Sequence, residues 1–209
     1  MMNRPNQQKH RELVIATGNP GKLKEFEQRF KHLNWIIRSK KEWGITDPEE
    51  NGLSFVENAL IKARHTAAQT NKPTLADDSG LEVDYLQGKP GIYSSRYAGT
   101  TATDDDNINK LLATMIDVPT AHRHARFCCL LVYVRHAEDP MPTIFQGTWE
   151  GLITTRRNGN SGFGYDPIFY IPKYQKTAAE LTPMLKNTVS HRGQAMTKMI
   201  HFFNTSQRA

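Results

Sequence analysis

The chain has 209 residues, of which 38% are hydrophobic and 23% charged, and a net charge of +6. That length suits one large domain or two small lobes around one core, and even its longest apolar runs, such as "FCCLLVYV" (127–134), are too short to cross a membrane. The 27 Lys and Arg are spread along the chain with no run longer than "RSKK" and no aromatic-interleaved stripe, which favours small anionic ligands over nucleic acid.

The polar start "MMNRPNQQKHRE" lacks the apolar segment of a signal peptide, so residues 1–11 read as a frayed tail and 12–209 as a single domain. "ELVIAT" (12–17) is a short apolar strand. "GKLKEFEQRFKHL" (21–33) spaces Leu23, Phe26, Phe30 and Leu33 as a helix. "SFVENALIKARHTAAQ" (54–69) is a second helix, opened by Ser54 and Glu57 at capping-box spacing. "PTLAD" (73–77) and "EVDYL" (82–86) read as two short strands around a turn. "TDDDNINKLLATMI" (103–116) has a Thr cap and three acids in its first turn, which favour a helix start.

"HARFCCLLVYVRH" (124–136) and "TIFQGTWEGLIT" (143–154) then predict an antiparallel hairpin. Cys128 and Cys129, adjacent on the first of these strands, point to opposite faces and form no disulfide framework, as expected of a reducing cytoplasm. After a glycine-rich loop come the apolar residues 168–171, and a last helix spans about 190–203. The alternation predicts an α/β fold: a mixed sheet flanked by helices, in two lobes around a cleft.

Four stretches suit chemistry on a phosphorylated ligand. Thr17-Gly18-Asn19-Pro20-Gly21-Lys22 runs from a strand into a helix, where free amides, the helix dipole and a lysine can hold phosphate. It is not a Walker loop. Two residues, not four, separate its glycines, and Leu23 stands where a metal-binding hydroxyl would follow the lysine. The plain alternative is a turn with a solvated lysine. "ADDSG" (76–80) places Asp77 and Asp78 at a strand end facing a crevice. Adjacent strand residues point oppositely, so one aspartate enters the site; the alternative is an Asx-type turn. Glu49 or Glu50, in the loop "DPEENG", can supply a second carboxylate for magnesium, which needs one or two; the alternative, which the two residues alone favour, is a pair of surface acids.

Asn158 to Pro167 holds three glycines, with Phe163 and Tyr165 offering flat faces to a base; the alternative is a mobile hairpin loop. In "KNTVSHRG" (186–193), Ser190 caps the last helix. His191 and Arg192 then lie in its first turn, where cations oppose the dipole unless anions are near. No G-x-S-x-G elbow is present, and His122, His124 and His136 lack partners for a metal site.

In this order, "TGNPGK", "SFVENALIKA", "LADDSGLEVD", "PGIYSSRYAG", "GFGYDPIF" and "SHRGQA" closely resemble the inosine triphosphate pyrophosphatase family, over about Leu13 to Phe203. The resemblance implies a two-lobed homodimer that converts ITP, dITP and XTP to monophosphate and pyrophosphate with magnesium. It implies phosphate contacts from Thr17, Gly18, Asn19, Pro20, Gly21, Lys22 and Lys62, and Asp78 as catalytic acid and metal ligand beside Glu50. Ser79 becomes a substrate contact. Phe163, Gly164, Tyr165 and Asp166 line the base and sugar pocket, with Lys186, His191 and Arg192 closing it. Met184 and Leu185 depart from the acids the family often carries there. A nucleotide pyrophosphatase for modified pyrimidines and a basic nucleic-acid binder are the rival readings.

Overall fold

The computed structural model describes residues 11–33 and 35–205. The tail expected over 1–11 therefore lies outside the described residues except for Arg11, which begins the first strand. Among the described residues, seven strands form one mixed sheet: β1 (Arg11–Ile15), β2 (Trp35–Ser39), β3 (Thr74–Val83), β4 (His124–Val134), β5 (Thr143–Ile153), β6 (Phe169–Ile171) and β7 (Lys176–Thr177). Their order is β2-β1-β3-β4-β5-β6-β7. β2, β1 and β3 are parallel; every later pairing is antiparallel. The expected hairpin is β4–β5.

Among the described residues, five α-helices flank the sheet: α1 (Pro20–Phe30), α2 (Phe55–Thr70), α3 (Asp104–Thr114), α4 (Pro183–Val189) and α5 (His191–Thr205). Their starts follow the capping chemistry. Ser54 Oγ accepts from the Glu57 amide, while the Glu57 carboxylate reaches back to the Leu53 amide and the Ser54 hydroxyl. Thr103 and Asp106 form a reciprocal capping box on α3.

One expectation is corrected. "PTLAD" and "EVDYL" are not two strands around a turn. Residues 74–83 form a single strand paired residue by residue with β4, from Thr74–Val134 to Val83–Ala125; 84–86 is a short 3-10 turn. The polar "DDSG" stays extended because β4 supplies its backbone partners on one edge and buried cations meet its acids on both faces. The Asx-turn alternative falls with it, and the two aspartates lie in mid-strand rather than at its end.

Because β3 alternates, its faces separate cleanly. Leu75 packs with Cys129, Leu131 and Tyr133 against α1 and α5, in a cluster that includes Phe26, Phe30 and Phe203. Ala76 packs with Val132 and Val134 on the opposite face against Ala59, Ala63 and Ala67 of α2. Cys128 and Cys129 point to opposite faces as expected, and both are free. Burial pushes the Cys128 thiol up to about 12, so it is inert at neutral pH. Farther along the strands, Leu81, Val83, Phe127, Trp149 and Phe169 form a third cluster with Ile108 and Leu111 of α3. The first two clusters build one lobe and the third the other, joined through β3, β4 and β5.

Candidate active site

β1 hydrogen-bonds β3 only at its start, with Val14 opposite Thr74 and Ile15 opposite Leu75. The chain then leaves the sheet as the Thr17–Lys22 loop. Beyond it, the Leu81 amide donates to Ser94 Oγ (2.8 Å) and Glu82 bridges to Pro90. Among the described residues, β3 from Asp77 to Gly80 thus has no strand beside it on that edge. The notch lies at the C-terminal end of parallel strand β1, where open α/β sheets bind ligands. A ligand in it can reach side chains on both faces of β3.

Asn19 is the N-cap of α1, and its Oδ1 accepts from the amides of Gly21 (2.8 Å) and Lys22 (3.2 Å). Two of the first-turn donors expected to meet phosphate are therefore held by Asn19, and Pro20 has none to give. The Thr17 hydroxyl accepts from the Asn19 amide (3.2 Å). The charge of the loop is Lys22, whose Nζ is paired with Asp77. It is not a solvated lysine.

On the α2 face, Lys62 Nζ lies 2.7 Å from Asp78 Oδ1 and 3.4 Å from Glu50 Oε1. Burial pushes the Asp78 carboxyl up to about 6, with Lys62 opposing and Glu50 adding to the rise. Burial alone would lower the Lys62 ammonium, but Asp78 and Glu50 outweigh it and hold it above its ordinary value. Two acids converging on one cation suit a small hard cation that accepts oxygen ligands, so Glu50 and Asp78 fit magnesium. Among the described residues, no cluster of three or more His, Cys, Asp or Glu side chains could hold a metal by itself.

On the other face, Asp77 is fully enclosed. Burial disfavours its charge, but Lys22 and Arg192 outweigh that and hold the carboxyl well below the usual range. Ser79 Oγ donates to the same carboxylate (3.1 Å). Arg192 Nε lies 3.1 Å from Asp77, and its Nη1 lies 3.7 Å from Glu25. These anions relieve a cation at the start of α5. His191 relieves it differently: burial first, then Arg192, pushes its imidazole well below the ordinary value, so it is neutral. It stacks on Phe127 with ring centroids 4.8 Å apart, and its Nδ1 has no protein partner. Gly147 of β5 seats this helix start, because a Cβ there would overlap the His191 carbonyl oxygen.

A cavity of about 440 Å³ opens between the lobes, bordered by Lys22, Ser79, Phe163, Asp166, His191 and Arg192 among others. That volume suits a base and sugar. The Asn158–Pro167 loop is ordered by its own acid: Asp166 accepts from the Phe163 amide (2.9 Å) and pairs with Lys186. Gly162, at φ +88°, lies where a Cβ would strike that carboxylate. Phe163 is 49% exposed, under Lys186 and Arg192, whose charged ends lie 5.1 and 5.7 Å from its ring. Tyr165, expected to offer a second flat face, borders the cavity but is almost wholly buried, its hydroxyl donating to the Ser94 carbonyl (2.8 Å).

The structure brings Asn19, Lys22, Ser79, Phe163, Gly164, Tyr165, Asp166, Lys186, His191 and Arg192 to one cleft, with Lys62, Glu50 and Asp78 across the strand edge; Thr17, Gly18, Pro20 and Gly21 belong to the same loop but do not border the cavity. Sequence reasoning missed Asp104 and Asn107 of α3, which border the cavity; Asp104 accepts from the Gly164 amide (2.7 Å). Asp104 reads locally as a helix-start acid, and its partner lies 60 residues away. It missed Glu25 and Phe127 for the same reason.

The sequence profile of the Ham1 family matches residues 13–202. A protein of Photorhabdus laumondii named dITP/XTP pyrophosphatase is 56% identical over 188 residues, covering 90% of this chain and 95% of its own. One of the same name from Vibrio cholerae is 51% identical over 189 residues, covering 90% and 94%. A solved HAM1 protein structure from Coxiella burnetii superposes with a TM-score of 0.90 at 45% identity, covering 93% of this chain and 99% of its own. The Staphylococcus aureus Ham1 protein gives 0.85 at 41%, covering 94% and 100%.

Proposed function

The chain belongs to the Ham1 family, and from that footing we propose that it hydrolyses ITP, dITP and XTP to the monophosphate and pyrophosphate. Such hydrolysis clears non-standard purines from the nucleotide pool before they enter DNA or RNA. The reading rests above all on one arrangement: Asp78 and Glu50 converge on Lys62 across the edge of β3 from a strand-to-helix loop whose Lys22 borders a base-sized cavity.

Glu50 and Asp78 would hold magnesium. Bound there, it would supply positive charge against the charge that builds on the phosphate oxygens as the bond breaks. Lys22 and Lys62 bind the phosphate chain from the two faces of β3 and fix its orientation. Asp78, with its carboxyl near 6, is ionised at pH 7 to 8 and takes the proton of the attacking water. Phe163 stacks on the base.

Selection acts at position 6 of the purine. Hypoxanthine and xanthine carry an oxo acceptor there and adenine an amino donor. The amides of Phe163 and Gly164 already donate to Asp166 and Asp104, so Arg192 and neutral His191 are the donors for that oxygen. ATP would set donor against donor, a mismatch worth up to ~10⁴-fold in a site built for hydrogen bonding.

The protein works as a homodimer in the cytoplasm, where its two free cysteines stay reduced, and takes no nucleic acid, since the site's cations are paired inside a cleft. Pyrophosphate release across ITP, XTP, GTP, ATP and pyrimidine triphosphates, with and without magnesium, tests the reading. Fast, magnesium-dependent release from ITP and XTP is expected; equal rates with ATP would refute it. Light scattering on the purified protein checks the dimer, and a monomer at micromolar concentration would contradict it.

A further inference from the structure

Asp77 has no part in the reaction as set out above, yet it is the most enclosed acid near the site. Its side chain has no solvent exposure. Its carboxylate accepts from Lys22 Nζ on one oxygen and from Arg192 Nε at 3.1 Å on the other, with the Ser79 hydroxyl 3.1 and 3.2 Å from the two. It does not border the cavity, whereas Lys22, Ser79 and Arg192 all do. Asp77 therefore lies behind the groups that meet the ligand and cannot meet it itself.

The two cations come from distant parts of the chain. Lys22 is 55 residues before Asp77, at the start of α1; Arg192 is 115 residues after it, at the start of α5. They also serve opposite ends of the site, since Lys22 belongs to the phosphate loop and Arg192 lies 5.7 Å from the Phe163 ring. Without the carboxylate between them they would repel in a poorly solvated place. One shared anion thus fixes both. Lys22 has three ammonium donors and Arg192 five N–H groups, so each keeps donors for the cavity after bonding Asp77.

We propose that Asp77 is a positioning residue that sets the spacing between the phosphate-binding and base-binding ends of the site by holding Lys22 and Arg192 from behind. A buried ion pair without such a role would contribute only to folding, and often little even there. The proposal rests on the pyrophosphatase reading above, but it concerns binding as well as turnover.

The test compares wild type, Asp77→Asn and Asp77→Glu in two assays: calorimetric binding of inorganic pyrophosphate, and kcat and KM for ITP with magnesium. Asp77→Asn is expected to weaken pyrophosphate binding by at least about tenfold and to lower kcat/KM by about a hundredfold, mostly through KM. In a Lys22→Met background the same change should cost at least about tenfold less in pyrophosphate binding, because its route through Lys22 is already cut and only that through Arg192 remains. Losses that simply multiply in the double variant, or pyrophosphate binding within about threefold of wild type, would overturn the proposal. If Asp77→Asn does not fold, Asp77→Glu decides. It keeps the charge but moves it by one methylene, so tenfold weaker binding supports positioning and unchanged binding refutes it. A wild type that binds pyrophosphate yet leaves ITP intact would sink the pyrophosphatase reading alone.

Discussion

Asp77 and Asp78 are consecutive in β3, yet they bond to different helices across opposite faces of the sheet: Asp77 to Arg192 of α5, Asp78 to Lys62 of α2. The alternation of a strand thus sorts two identical side chains into two electrostatic settings. Lys22 and Arg192 hold the first well below the usual carboxylate range, and burial raises the second to about 6. The first is a fixed anion at any working pH. Only the second can exchange a proton near neutrality.

That difference gives the activity an acid limb. Asp78 must be ionised to bind magnesium and to accept a proton, so both fall as pH drops through about 6. Lys62 favours the ionised form, so replacing it with Met raises the Asp78 value and moves the limb to higher pH. Rate profiles for kcat/KM from pH 5 to 9 check the sign. A limb that moved to lower pH in Lys62→Met would contradict the electrostatics.

Phe163 is the one half-exposed aromatic ring of the glycine loop, and Tyr165 is buried beside it. Phe163→Ala is expected to raise KM for ITP by about tenfold, in line with ~1–3 kcal/mol per stacked base, with a smaller change in kcat. Phe163→Trp keeps the flat face and should stay near wild type. Equal KM values for Phe163→Ala and wild type would remove the stacking role.

Gly147 lies under the start of α5, where an added Cβ would overlap the His191 carbonyl. Gly147→Ala is expected to destabilise the fold by about 1–3 kcal/mol, as overpacking does, and to displace His191 and Arg192. Thermal unfolding and KM for ITP check both effects. An unchanged melting temperature would mean that the helix start gives way freely.

Much of the scaffold is legible in the sequence because its signals are local. Ser54 with Glu57 and Thr103 with Asp106 are capping chemistry, and the β4–β5 hairpin shows in two long apolar stretches. "ADDSG" misleads because its polar, glycine-containing composition reads as a turn, while its extended form depends on pairing with β4 about 50 residues on. Half-buried β2 is too short to show a period. α4 has a legible start in Thr182 and Pro183, but its separation from α5 depends on Ser190, which ends one helix and precedes the other.

For the site, residue identities are readable and their partners are not. Lys22 reads as a free phosphate ligand, and the structure pairs it with Asp77. The opposite-face argument for the aspartates holds because it needs only the strand period. Which of the two faces carries the acid that titrates near neutrality depends on Lys62, Glu50, Lys22 and Arg192, and that lies in the tertiary fold.

The central claim is that Asp78, not Asp77, performs the chemistry. Single-turnover hydrolysis of ITP by Asp78→Asn at saturating magnesium and saturating substrate measures this directly. The rate is expected to fall by about 10²–10⁴-fold, the span of general acid–base catalysis, while ITP still binds. A rate near wild type would contradict the account.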